Sequence, residues 1–206
     1  MAYAVVLDAC VLYAASLRDT LLRFAAAEFY DLLWSERILA EAERNLIADG
    51  RVNEIGARHL RDALDRAFDG ATVPAEAIAG LEAAMTNNPK DRHVLAAAVA
   101  SQAQAVITTN LKDFPEGASL PYGIEILHPD EFLMVLYGLD PELAVTIISE
   151  QAADLRNPPK TIREILDTLA VTVPTFAAAI LSELPQAPVA VAVTRNPPRR
   201  DPGVRK

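Results

Sequence analysis

The chain carries a single cysteine, Cys10. One thiol forms no intramolecular disulfide and no cysteine cluster for structural zinc. Positive charge is also in deficit, with 19 Lys and Arg against 28 Asp and Glu and a formal net charge of −9. That balance argues against a protein held on nucleic acid by bulk charge alone. It does not exclude an enzyme acting on nucleic acid, because metal ions and local cations can supply the positive field. An acidic surface also suits a basic protein partner. No apolar stretch is long enough to cross a bilayer, and no signal-peptide pattern or internal repeat is evident. A soluble cytoplasmic chain without membrane association is the expectation.

What remains is ample for a core. Of 206 residues, 51% are hydrophobic and 23% charged, which fits one ordinary domain with room for an appendage. Ala4-Val5-Val6-Leu7 reads as a strand buried on both faces, 105–109 repeats that pattern, and 124–127 reads as a short third strand. Helices are expected over 12–29, from the Ser35 cap to about Ala48, from Asn53 through Phe68, over 75–85 and over 93–104. Strands alternating with helices favour an α/β fold with a parallel sheet. Beyond Gly138 the pattern turns helical, with starts at Asp140-Pro141, at the Thr161–Glu164 capping box and at Pro174. The division expected is an α/β domain over 1–138, a small all-α extension over 139–184 and a proline-rich, disordered tail over 185–206.

Four acids share an address. Asp8 follows the first strand, where open parallel sheets bind their ligands, and Asp113 lies just past the second. Asp91 opens the helix that feeds that second strand, and Glu41 lies on the helix begun at Ser35. Each has a bland alternative: Asp8 and Asp91 as helix caps, Asp113 as a turn acid, Glu41 as a solvated helix face. Gathered together, carboxylates repel one another unless a cation offsets them, and hard oxygen donors are what Mg²⁺ or Mn²⁺ takes. Such ions activate water and stabilise charge building on a phosphoryl group. The set therefore points to metal-assisted phosphodiester hydrolysis.

The segments Val6-Leu7-Asp8-Ala9-Cys10-Val11-Leu12-Tyr13, Ser35 to Glu41, Asp91 to Ala98, and Ile107-Thr108-Thr109-Asn110-Leu111-Lys112-Asp113-Phe114-Pro115 follow in that order. Together they resemble the PIN-domain ribonucleases, most nearly the VapC toxins of bacterial toxin–antitoxin pairs, over residues 4 to about 130. The helical extension is similar to that of a subgroup of these toxins. The resemblance implies a parallel sheet flanked by helices. It also implies a Mg²⁺ or Mn²⁺ site formed by Asp8, Glu41, Asp91 and Asp113, an RNA substrate of the tRNA or rRNA class, a cognate antitoxin and a homodimer. Many PIN domains carry an Asp where Asn110 stands, and the amide brings no charge for a second metal.

Thr109 and Asn110 are candidates for bonds to metal waters or substrate, and Arg18, Arg92 and Lys112 for substrate phosphates. Glu36 and Glu43 flank Glu41; Glu41 lies near the core stripe and Glu43 nearer the solvent side. His93 is not expected to ligate metal, and Cys10 is expected to pack rather than react. Asp8→Ala is expected to abolish cleavage with the fold intact or slightly more stable. A DNA or flap nuclease of the same architecture would want a basic face, and a non-catalytic metal-binding module would need no turnover. Metal-dependent cleavage of RNA against DNA separates these readings.

Overall fold

Five short segments lie side by side in one parallel sheet, in the order β3-β2-β1-β4-β5. They are β1 (Ala4–Leu7), β2 (Asp31–Ser35), β3 (Thr72–Val73), β4 (Ala105–Ile107) and β5 (Glu125–Leu127). The structure, a computed structural model, describes residues 3–185. Except for Pro185, the expected tail lies outside the described residues. β1 and β4 are buried almost throughout, so their unbroken apolar runs have no polar face to alternate with. From β1 the chain moves outward to β2 and β3, then returns to place β4 on the other side of β1. The order reverses between β1 and β4, and the loops leaving them part to form a crevice. Leu7 pairs with Ile107, so the next residues, Asp8 and Thr108, meet at that crevice.

β2 and β3 are not legible as strands. β2 begins at exposed Asp31, has no β-branched residue in its Leu-Leu-Trp centre, and continues straight into a helix. β3 is two residues long, too short for any period to show. The helix expected over 12–29 is two helices, α1 (Ala9–Tyr13) and α2 (Ala15–Ala26), parted at extended Ala14. Arg18 Nη1 donates to the Leu12 carbonyl at this joint, partnering a group that a helix end leaves free.

α3 (Glu36–Ala48) starts where the Ser35 hydroxyl accepts the Ile38 N–H, and buries Ile38, Leu39, Ala42 and Leu46. α4 (Glu54–Ala67) is capped by Asn53. The stretch 75–85 is interrupted rather than one helix: α5 (Ala75–Ile78) gives way at Gly80, φ +88°, to a single 3-10 turn over Glu82–Ala84. α6 (Arg92–Ala100) stops short of Gln104, and α7 (Glu116–Ser119) is one turn.

The C-terminal part is helical: α8 (Pro129–Leu139), α9 (Pro141–Asp154), α10 (Ile162–Leu169) and α11 (Pro174–Glu183). Asp140 ends α8 and caps α9 through Leu143, and Thr161 and Glu164 form the expected reciprocal cap. These helices share one apolar cluster with the sheet body, where Phe24 meets Phe176 edge-to-face at 6.1 Å. Inside that contact Gln151 is 1% exposed. Its Oε1 accepts the Thr20 hydroxyl at 2.8 Å and its Nε2 donates to the Ser16 carbonyl at 3.0 Å. No single described helix is long and apolar enough to cross a membrane.

Candidate metal site at the sheet edge

Asp8 is buried where β1 ends, and every contact it makes tightens the crevice. Its Oδ1 accepts the Ala9 N–H at 2.7 Å, capping α1. Its Oδ2 accepts the Thr108 hydroxyl at 2.7 Å and the Cys10 thiol at 3.2 Å. Cap and site residue are thus one side chain. The three donors aimed at Asp8 work against the slight gain in stability expected of Asp8→Ala.

Thr108 is fully buried, and its oxygen also accepts the Asn110 N–H at 3.0 Å. Sequence reasoning looked to Thr109 and Asn110; the strand register, which sets Thr108 beside Asp8, is the signal that would have found it. Thr109 donates its N–H to Cys10 Sγ at 3.3 Å. Burial, reinforced by the charge of Asp8, pushes the Cys10 thiol up to about 11. It stays protonated, a donor rather than a nucleophile.

Asp91 differs from Asp8. It occupies the first position before α6 but makes no capping bond. It is 5% exposed, and its Oδ2 is buried with no hydrogen-bond partner. Burial, then the charges of Asp8, Asp113 and Glu41, push its carboxyl up to about 6 against the opposing pull of Lys90. The bland reading of Asp91 as a helix cap is therefore not realised.

Asp113 ends the 3-10 turn Leu111–Asp113 and is also buried. Its Oδ1 accepts from Asn88 Nδ2 at 2.8 Å, and its backbone carbonyl accepts the Asn88 N–H at 3.0 Å. The Asn88 bond, with help from Lys90, holds its carboxyl below the usual range. Lys90 Nζ stands 3.7 Å from Asp91 Oδ2 and 3.3 Å from Asp113 Oδ2. The turn Asn88-Pro89-Lys90 so ties two acids through one amide and one ammonium, residues that sequence reading took for turn chemistry alone.

Glu41 projects from α3, its Oε2 3.6 Å from His93 Nε2. Arg61 distinguishes the three glutamates of this helix. Arg61 pairs with Glu36, with Glu43 at 3.2 Å and with Asp65 at 3.4 Å. Glu43, at 28% side-chain exposure, is as shielded as Glu41 at 32%; its guanidinium partner, rather than solvent, sets it apart. His93 Nδ1 lies 3.0 Å from the Lys90 carbonyl, which can only accept, so that nitrogen carries a proton. Burial and the Arg37 cation push His93 down, and its buried Nε2 has no hydrogen-bond partner.

The remaining candidates are placed variously. Arg18 is committed to the Leu12 carbonyl, and Arg92 Nε reaches the Asn87 carbonyl at 3.4 Å. Lys112 is exposed, and Asn110 is half-buried with its N–H on Thr108.

The residues fit a hard divalent cation in chemistry. The acids offer oxygen donors only, one of them an orphaned buried oxygen, and an ammonium already lies between two of them. The charges of Asp8, Asp113 and Glu41 all act on the Asp91 carboxyl. Among the described residues no group of three or more His, Cys, Asp or Glu side chains stands ready-spaced around a metal position.

Comparison with known proteins agrees with this architecture. Residues 4–112 match the PIN domain family, and residues 129–182 match the VapC50 C-terminal domain. A curated relative, "Putative ribonuclease VapC50" of Mycobacterium tuberculosis, is 48% identical over 98 residues, which are 48% of this chain and 58% of that protein. The match thus spans little more than half of the relative's length. No solved structure matches. The parallel sheet and the helical stretch that follows it both find their place here: the chain belongs to the PIN domain family, in the branch whose PIN domain is followed by a VapC50-type C-terminal domain.

Proposed function

We propose that the chain is a divalent-metal-dependent endoribonuclease, the toxin of a toxin–antitoxin pair. It would use Mg²⁺ or Mn²⁺ held by Asp8, Glu41, Asp91 and Asp113. The observation that carries the reading is the Asp91 carboxylate, buried, without a capping bond and with one oxygen unpartnered, its carboxyl pushed up by burial and by the charges of Asp8, Asp113 and Glu41. Structural acids are normally paired, and a buried charge held in repulsion marks a functional site. A bound divalent ion would supply Lewis-acid chemistry, making water more acidic and offsetting charge on the phosphoryl oxygens.

The chain's own residues do the rest. Asp8, fixed by Ala9, Thr108 and Cys10, keeps one orientation and loses little freedom on binding a cation. Asn88 holds Asp113 ionised, and Lys90 keeps Asp91 and Asp113 from springing apart in the free protein. Glu41, free of Arg61, is the acid on α3 available to the site. RNA of the tRNA or rRNA class is the substrate in this reading, with a cognate antitoxin as restraint, a homodimer as assembly and the cytoplasm as setting. The related VapC50 name supports ribonuclease over DNA-cleaving chemistry.

The test is cleavage of tRNA, rRNA and single-stranded DNA with Mg²⁺ or Mn²⁺ and with EDTA. RNA cleavage that stops in EDTA, falls at least ~100-fold in Asp8→Asn and Asp91→Asn, and persists in Glu43→Gln is expected. Cleavage indifferent to EDTA, or equally fast in Asp91→Asn, would overturn the proposal.

A further inference from the structure

Beside the acids a pocket of about 360 Å³ opens between the start of α3, β3 and the turn after α5. Ala40, Val73, Ala75 and Ile78 give it apolar walls. Arg37 and Glu82, which also line it, are joined by contacts of 2.9 and 3.0 Å from Arg37 Nη1. Two residues connect it with the acid edge. Ala40 immediately precedes Glu41, and His93 lines the pocket while its Nε2 sits 3.6 Å from Glu41 Oε2. His93 is 2% exposed, and that nitrogen has no hydrogen-bond partner.

We propose that this pocket receives one nucleobase of the RNA, adjoining the nucleotide whose phosphate lies at the acids. The inference rests on the ribonuclease reading above and adds to it where base preference arises. Apolar walls suit the faces of a heterocycle, and RNA is read mostly through unstacked bases that are splayed out and contacted at their edges. His93 supplies the edge contact. Its Nδ1 is spent on the Lys90 carbonyl, so Nε2 is the nitrogen left for the base. A wholly apolar occupant, such as a partner's aliphatic side chain, would leave that buried nitrogen unsatisfied. Arg37 at the pocket is the cation for a flanking phosphate, with Glu82 as the partner it exchanges.

The experiment uses the full chain. AMP, CMP, GMP and UMP are titrated in EDTA while backbone amides are followed by NMR, in the parent and in Ala79→Trp. Ala79 lines the pocket from an exposed turn, so the indole is introduced from the solvent side of that space. At least one mononucleotide should shift the amides of Ser35, Val73, Ile78 and His93, and Ala79→Trp should weaken it tenfold or more with Mn²⁺ affinity unchanged. On RNA libraries the parent's base preference beside the cut should flatten in the variant. The pocket inference falls if no mononucleotide moves those amides, if Ala79→Trp cuts with the parent's base preference, or if the variant loses only antitoxin binding. Mononucleotide binding at these amides in a chain that cuts no RNA would sink the ribonuclease reading and leave the pocket standing.

Discussion

Replacing Asp91 by Asn should make the metal-free protein more stable, by an amount that depends on pH. The side chain gives up little, since it caps nothing and its Oδ2 bonds to nothing. Only the 3.7 Å approach of an exposed lysine is lost, worth a few tenths of a kcal/mol. What is removed is a charge that burial and three neighbouring acids oppose, the reason its carboxyl is raised from 3.8 to about 6. That displacement corresponds to about 3 kcal/mol against the ionised form. Water at the open edge screens part of it, leaving about 1–2 kcal/mol as the expected gain. The folded carboxyl keeps its proton to higher pH than the unfolded one. The penalty is therefore absent below about pH 4, grows between about pH 4 and 6, and is complete above about pH 6. Urea denaturation with EDTA should show Asp91→Asn stabilised at pH 7.5 and the two chains converging near pH 4. A variant less stable than the parent at pH 7.5, or one stabilised equally at both, would refute the account of Asp91 as a buried charge held in net repulsion.

Thr108→Val keeps the shape but removes the donor to Asp8 and the acceptor for Asn110; a loss of about 2–4 kcal/mol in chemical denaturation is expected. Lys90→Met withdraws a cation that competes for Asp91 and Asp113, so Mn²⁺ should bind about two- to fivefold tighter by calorimetry, while the metal-free chain loses a few tenths of a kcal/mol. Glu41→Gln should weaken Mn²⁺ binding about tenfold, whereas Glu43→Gln should leave it unchanged and instead lower the denaturation midpoint by loosening Arg61.

Much of this architecture was readable in the residues, for identifiable reasons. Strands β1 and β4 announce themselves because central parallel strands must be apolar on both faces, edge strand β5 shows through its short Ile-Leu run, and the caps at Ser35, Asn53, Asp140 and Thr161 are local chemistry. β2 stayed hidden because its identity as a strand comes from pairing with β1 and β3 rather than from its own composition. At the crevice, the four acids could be named individually from their place after strands and before helices. Their relations could not. That Thr108 grips Asp8, that Asn88 and Lys90 bind Asp113, and that Arg61 claims Glu43 but not Glu41 are contacts between residues 18 to 100 positions apart. Such contacts arise only once the sheet order is set.

Gln151 makes the helical extension more than a cover. An amide enclosed in oil and wedded to Thr20 and Ser16 works as a key in a lock: sliding α9 by one turn along α2 would strand every one of its polar atoms. The two halves of the chain should consequently melt together, in a single calorimetric peak. A fragment ending at Leu139 would also bare the greasy flank of α2 around Phe24, so the nuclease half should emerge alone only as a sticky, aggregation-prone species.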